Sequence, residues 1–178
     1  MDSGAAAIIK ESIRIIEDYP KKGISFKDIT PLLKDGNGFR ACIDGLEKGI
    51  AGKRIDYVAG IEARGFIIGS ALAYAMGVGF VPIRKKGKLP YRTVRREYPL
   101  EYGNDTIEMH VDAFEKGSSV LIADDLLATG GTARAASELI TEAGGKIAGF
   151  AFIVELTGLN GREKLAGHEI VSLVQYLY

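Results

Sequence analysis

The chain has one cysteine, Cys42, among 178 residues. No internal disulfide can form, which fits a reducing compartment, and Cys42 itself reads as a small core residue on a helix. Excess charge of either sign is also missing, since Lys+Arg and Asp+Glu both number 23. No global field draws the chain to nucleic acid or to an anionic membrane, so any basic site is local. The start, Met1 to Ala5, lacks the basic residues that open a signal peptide. The longest apolar tract, Ile67 to Val81, is broken by Gly69, Ser70, Gly77 and Gly79. It falls short of the roughly 20 residues of a spanning helix and reads as a buried helix followed by a strand. The two histidines, His110 and His168, stand far apart without metal-ligand spacing. Neither G-x-x-x-x-G-K-S/T nor a strand–G-x-G-x-x-G–helix is present, which removes the main evidence for an NTPase or a dinucleotide enzyme. There is no internal repeat, low-complexity segment or linker. The expectation is a cytoplasmic single domain, 1–178, with no membrane or nucleic-acid partner.

What is present is a set of apolar, β-branched runs separated by amphipathic stretches. Ile9, Ile13 and Ile16 recur at helical spacing and predict a first helix ending near Tyr19 and Pro20. Residues 20–28 read as a polar loop with isolated Ile24 and Phe26. Phe39, Ile43, Leu46 and Ile50 mark one face of a second helix, and residues 66–76 a third. Strands are predicted at 57–61, 79–83, 120–123, 146–154 and 170–174. This alternation indicates βαβ units: an α/β fold with a central, mostly parallel sheet flanked by helices. In such sheets ligands sit beyond the carboxyl ends of the strands. The turns at 62–65, 84–88 and 124–132 each follow a strand and should crowd one edge. Residues 85–110 break the pattern. Tyr98, Leu100 and Tyr102, then Ile107, Met109 and Val111, alternate around residues 103–105, which reads as an exposed β-hairpin. Such an excursion serves as a lid over a site or as a contact between copies.

The densest chemistry lies in residues 120–132, where an apolar strand runs into Asp124 and Asp125 and a small-residue turn opens a helix. Backbone N–H groups of Ala128, Thr129, Gly130, Gly131 and Thr132 can converge at the helix N-terminus, where a phosphate is favoured. The two carboxylates repel a phosphate but accept hydrogen bonds from sugar hydroxyls beside it. Together they suggest a ribose 5-phosphate. The bland alternative is a solvated acidic turn with threonine as N-cap.

This run resembles the phosphoribosyl-pyrophosphate (PRPP) motif of the type I phosphoribosyltransferases. Residues 19–31, 61–66, 83–90, 100–103 and 154–165 are similar, in order, to segments of the adenine-specific branch of that family, and they span nearly the whole chain. The resemblance implies the type I phosphoribosyltransferase fold, with a small N-terminal hood near 1–35 and a flexible lid hairpin near 85–110. It implies adenine and PRPP as substrates, AMP and pyrophosphate as products, Mg²⁺ as cofactor and a homodimer. Asp124 and Asp125 would hold the ribose hydroxyls and residues 128–132 the 5-phosphate. Mg²⁺ would arrive largely through PRPP and water, with Asp124 the one side chain in reach.

Glu62, Ala63, Arg64, Arg84, Lys85 and Lys88 would bind pyrophosphate, with a cis peptide implied between Glu62 and Ala63. Arg64 would also act in catalysis, stabilising the charge on the leaving group. Glu101 would handle the adenine proton and Tyr102 would close over the sugar. Glu101 reads nearly as well as a surface carboxylate. Adenine would meet the main chain near Ser25 and Lys27 and stack on Phe26, unless Phe26 is core. Leu126 or Leu127 would wall the base or pack inside. Ser25 stands where this branch usually has an apolar residue, and Lys27 where it has arginine. Two further readings remain: a sister enzyme for another base, or a regulatory module that binds PRPP as an effector.

Overall fold

The computed structural model describes residues 3–99 and 104–177. The elements follow in the order α1 (Ser3–Glu11), β1 (Arg14–Ile16), β2 (Phe26–Asp28), α2 (Thr30–Lys34), α3 (Gly36–Gly49), β3 (Tyr57–Ile61), α4 (Arg64–Met76), β4 (Gly79–Lys85), β5 (Thr93–Pro99), β6 (Asn104–His110), β7 (Ser119–Leu127), α5 (Gly131–Glu142), β8 (Lys146–Leu156) and β9 (Ile170–Tyr176). Short 3₁₀ turns at Thr157–Leu159 and Gly161–Leu165 join the last two strands. Strands β5-β6-β4-β3-β7-β8-β9 form one seven-stranded sheet, and β1 and β2 form a separate ribbon. The β4–β3–β7–β8–β9 pairings are parallel, while β6 is antiparallel to both β4 and β5. The mostly parallel sheet expected from the alternation is therefore present.

Period-two patterning explains why the sheet is covered on both faces. Val58, Leu121, Ala123, Ala151 and Ile153 point into one core with Cys42 and Leu46 of α3 and Ile68 and Leu72 of α4. Ala59, Ile61, Val120, Ile122, Phe150 and Phe152 point into a second core with Ala136, Leu139 and Ile140 of α5. Cys42 is fully buried, and burial pushes its thiol up to about 12, so it is an inert packing group.

Three local expectations are corrected. The first helix stops at Glu11, and Ile16 lies in β1 instead of on a helical stripe. Residues 26–28, read as loop, are the partner strand, with Arg14 opposite Asp28 and Ile16 opposite Phe26. The Arg14 guanidinium donates to Asp28 at 2.6 and 3.0 Å, a long-range pairing that overrides the local helical spacing. The 85–110 hairpin is not an exposed excursion. It extends the sheet through Arg84 opposite Glu108 and Lys85 opposite Ile107, and it buries Tyr98, Ile107 and Met109. The expected alternation at Leu100 and Tyr102, at the tip, lies outside the described residues.

Candidate functional site

The parallel register brings the carboxyl ends of β4, β3 and β7 together. Ile61 lies beside Ile83, Gly60 beside Ala123, and the Glu62 N–H donates to the Ile83 carbonyl at 2.9 Å. The three turns meet at one edge, but two start later than expected: β4 runs on to Lys85 and β7 to Leu127, so Arg84, Lys85 and residues 124–127 are strand, held by pairing with β6 and β8.

The turn after β7 forms the floor. The N-cap of α5 is Gly130, at φ +75°, in place of the threonine N-cap of the bland alternative, and among the described residues no side chain caps the helix. A cavity of about 90 Å³ lies at this end, lined by Asp124, Leu126, residues 128–132 and Phe152 among others. The turn is held from behind by close backbone packing. A Cβ on Gly130 would collide with the Gly161 carbonyl oxygen, and one on Gly161 with the Ala128 carbonyl oxygen. Arg162, next to Gly161, donates to buried Glu155 at 2.6 and 2.7 Å, and Ser172 and Gln175 donate to the same carboxylate. Sequence reasoning did not single out Gly161, Arg162 or Glu155 as parts of the site. Their link to the 128–132 turn is a contact across the fold, with no local signal beyond the C-terminal resemblance.

Asp124 and Asp125 are neighbours near the carboxyl end of β7, which runs on to Leu127. The Asp125 N–H donates to Asp124 Oδ1 at 2.9 Å. Burial, then the neighbouring Asp125 charge, pushes the Asp124 carboxyl well above its ordinary value. Burial also raises Asp125, opposed by Arg64. Arg64 Nε lies 2.9 Å from Asp125 Oδ2, yet that oxygen receives no hydrogen bond of good geometry. Gly65 permits this approach, because a Cβ there would stand 2.8 Å from Asp124 Oδ1. Asp125 is buried and Asp124 half-buried, an acceptor pair held beside the helix N-terminus.

The Glu62–Ala63 peptide is cis, as the resemblance implied. Arg84 donates to Glu62 at 3.1 and 3.3 Å, and the Lys85 N–H donates at 3.0 Å. Burial would raise the Glu62 carboxyl, but these bonds outweigh it and hold it below its ordinary value. Glu62 therefore orients Arg84 as an ionised partner. Lys85 Nζ lies 3.3 Å from Asp105 on β6, and Lys88 is exposed on the turn beyond β4.

At the N-terminal ribbon Phe26 is half-buried and belongs to neither core, which removes its reading as ordinary core. The Arg64 guanidinium sits 5.3 Å from its ring centre, and Tyr19 meets its edge. The two departures from the family pattern are joined: buried Lys27 donates from Nζ to Ser25 Oγ at 2.7 Å and to the Ser25 carbonyl at 2.9 Å. The ammonium also lies 5.3 Å from the Tyr176 ring centre, so lysine ties this strand down without the arginine. Leu127 is core at 1 % exposure, whereas Leu126 is half-buried at the cavity. Glu101 and Tyr102 lie outside the described residues.

Among the described residues no group of three or more His, Cys, Asp or Glu side chains could hold a metal ion. The acceptors on offer fit an ion that keeps substrate and water oxygens and touches at most Asp124. Among the described residues, no helix is long and apolar enough to cross a membrane.

Comparison with known proteins agrees with this geometry. Residues 26–169 match the family described as "Phosphoribosyl transferase domain". An adenine phosphoribosyltransferase of Clostridium perfringens is 58 % identical over 168 residues, covering 94 % of this chain and 98 % of that one. The crystal structure of adenine phosphoribosyltransferase from Thermoanaerobacter pseudethanolicus superposes with a TM-score of 0.94 at 52 % identity, covering 96 % of this chain and 99 % of that one. The Saccharomyces cerevisiae enzyme, complexed with an imino-altritol bisphosphate and adenine, superposes with a TM-score of 0.91 at 38 % identity, covering 97 % and 99 %. With these matches, and with a small-residue turn, paired carboxylates and a basic turn on one edge of the matching sheet, the chain belongs to the adenine phosphoribosyltransferase family.

Proposed function

We propose that this chain transfers the 5-phosphoribosyl group of PRPP to N9 of adenine, giving AMP and pyrophosphate for purine salvage. The observation that carries the reading is the α5 N-terminus, uncapped by any side chain among the described residues and opening on a cavity beside two partly desolvated carboxylates. Residues 128–132 take the 5-phosphate, through N–H groups and the favourable end of the helix dipole. Asp124 and Asp125 accept from the ribose 2- and 3-hydroxyls. Their raised proton affinity is a sign of desolvation, which hydroxyl donors relieve.

As the C1–O bond to pyrophosphate breaks, negative charge grows on the leaving group and positive charge on the sugar. Arg84, pre-oriented by Glu62, stabilises the leaving group together with Arg64, Lys85, Lys88 and the Ala63 main chain. Mg²⁺, when bound with PRPP, supplies further neutralisation of pyrophosphate charge. N9 forms the new bond to C1, and the Glu101 carboxylate takes the proton that the ring loses. Tyr102 closes over the sugar and excludes water.

Arg64 lies over Phe26 and against Asp125 in the same structure, so it links the base site to the ribose site. Adenine stacks on Phe26, meets the main chain of Ser25 and Lys27, and abuts Leu126. A carbonyl acceptor there distinguishes the 6-amino group of adenine from the oxygen of hypoxanthine, since it accepts and never donates. The bond between Lys27 and Ser25 supports an unaltered strand despite both departures. A hood near 1–35, a mobile lid near 85–110, a homodimer and a cytoplasmic setting complete the reading. The exposed Ile67 and Tyr74 on α4 and the lone buried Cys42 agree with the last two.

The test is AMP formation from adenine with PRPP and Mg²⁺, repeated with Asp125→Asn. Activity that requires PRPP and collapses in the variant supports the reading; an active variant overturns the role of the pair.

A further inference from the structure

One buried charge has no part in the reaction as described. Glu108, in β6, has no exposed surface. Its Oε1 accepts from three consecutive N–H groups, of Gly87 at 2.9 Å, Lys88 at 3.1 Å and Leu89 at 3.1 Å. Its Oε2 accepts from Arg95 Nε at 3.1 Å and Thr93 Oγ1 at 3.4 Å. Three successive N–H groups converging on one point form a concavity of the kind that binds anions, and here a carboxylate of the chain itself fills it. Burial would raise that carboxyl, but the N–H donors and Arg95 outweigh it and keep it ionised at neutral pH.

The turn held in this way is the basic one beyond β4. It contains Gly87 at φ +81° and exposes Lys85, Lys86 and Lys88. The Lys88 carbonyl in turn accepts from Arg84 Nη1 at 3.0 Å. A line of hydrogen bonds thus runs from Glu108 through the turn to Arg84, and from Arg84 to Glu62 at the cis peptide. The turn is also tied at its near end, where the Lys86 N–H donates to the Thr106 carbonyl and the Lys88 N–H approaches the Lys85 carbonyl.

We propose that Glu108 is a positioning residue for the pyrophosphate half of the site, fixing the 87–89 main chain so that Arg84 and Lys88 face the leaving group. The proposal rests on the reading of the basic turn given above. It predicts that loss of the carboxylate weakens the handling of PRPP and pyrophosphate while leaving adenine untouched, since Phe26 and Lys27 belong to the separate β1–β2 ribbon and Ser25 directly precedes β2.

The experiment compares the unaltered protein with Glu108→Gln and Glu108→Ala, measuring KM for PRPP, KM for adenine, inhibition by pyrophosphate, and amide hydrogen exchange at residues 87–89. The expected result for Glu108→Ala is a rise of about tenfold in KM for PRPP and in the pyrophosphate inhibition constant, the scale of losing bonds to a charged acceptor. KM for adenine should stay within about twofold. Glu108→Gln, which keeps an oxygen toward the three N–H groups, should recover most of that loss. Exchange at 87–89 should speed up in Glu108→Ala, less so in Glu108→Gln. Equal changes in both KM values, or unchanged exchange at 87–89, would overturn the proposal. If Glu108→Ala does not fold, Glu108→Gln alone decides, through a pyrophosphate-specific loss of about threefold or its absence. If the unaltered protein makes no AMP, the functional reading has failed, and the exchange measurement still decides whether Glu108 holds the turn.

Discussion

Gly161→Ala is a severe test of how the phosphate cradle is held, although residue 161 touches no substrate in the account above. Its Cβ would overlap the Ala128 carbonyl oxygen and stand 3.0 Å from Leu127 Cδ1 and 3.1 Å from the Gly130 nitrogen. Ordinary contact lies near 3.5–4.0 Å, so one side must retreat by about 1 Å. The Gly161 side is pinned by Arg162 on buried Glu155. The yielding side is the 128–130 turn, which carries the N–H groups of the cradle. A displacement of that size costs about a hundredfold in rate, or roughly 2.7 kcal/mol of barrier. Overpacking should also lower stability by about 1–3 kcal/mol. The control is Gly167→Ala, at φ +89° with open space around its Cβ, which adds backbone strain far from the cradle. Steady-state kinetics and thermal unfolding on both variants separate the two effects. Gly161→Ala should lose kcat/KM for PRPP about a hundredfold while Gly167→Ala loses stability alone. Retention of kcat/KM for PRPP within about twofold in Gly161→Ala would refute the reasoning.

Arg84→Met should cut kcat/KM for PRPP by about 10²–10³-fold with little change in adenine KM, because it removes a pre-oriented cation from the leaving group. Steady-state titration of both substrates checks this. Asp124→Asn should lose activity yet gain stability. The folded carboxyl lies well above its ordinary 3.8 through burial and the Asp125 charge, so its ionisation costs stability as pH rises past 3.8. The melting temperature of Asp124→Asn should exceed that of the unaltered protein at pH 7, and an equal or lower value would contradict this. Glu155 behaves oppositely. Burial would raise it, but Arg162, Ser172 and Gln175 hold it below its ordinary 4.5, so its stabilisation is full above pH 4.5 and is lost as pH falls through the depressed value. Glu155→Gln should therefore be less stable at pH 7 and show a shallower decline in melting temperature below pH 4.5, measured by thermal scans from pH 7 to 3.

The central sheet was legible because its strands are short, β-branched runs bounded by glycine and charge. Residues 57–61 match β3 from end to end, and α5 begins one residue from the expected Thr132. Such elements carry their own period, and parallel topology then places the three turns on one edge. The N-terminal ribbon was not legible. Ile9 and Ile13 do pack in one core, but Ile16 is drawn off the helical stripe by pairing with Phe26 across a ten-residue gap. Within the site, Asp124, Asp125 and the turn after them could be read directly, because carboxylates before a small-residue helix start have few other uses. Glu108 could not. It sits between Ile107 and Met109, so period-two alternation turns it away from the apolar face they share. Its burial comes from a turn about twenty residues earlier in the chain that folds over it. Gly161 was likewise silent, since its meaning lies in a backbone approach across the sheet edge.

The measurement that tests the central claim most directly is PRPP-dependent nucleotide formation with Mg²⁺ across adenine, hypoxanthine, guanine, xanthine, uracil and orotate. The account predicts AMP from adenine alone, with Ser25 and Lys27 acting through their main chain. Turnover of another base in place of adenine would contradict the base assignment while keeping the PRPP site. Tight PRPP binding with no turnover of any base would contradict catalysis itself and favour a regulatory module.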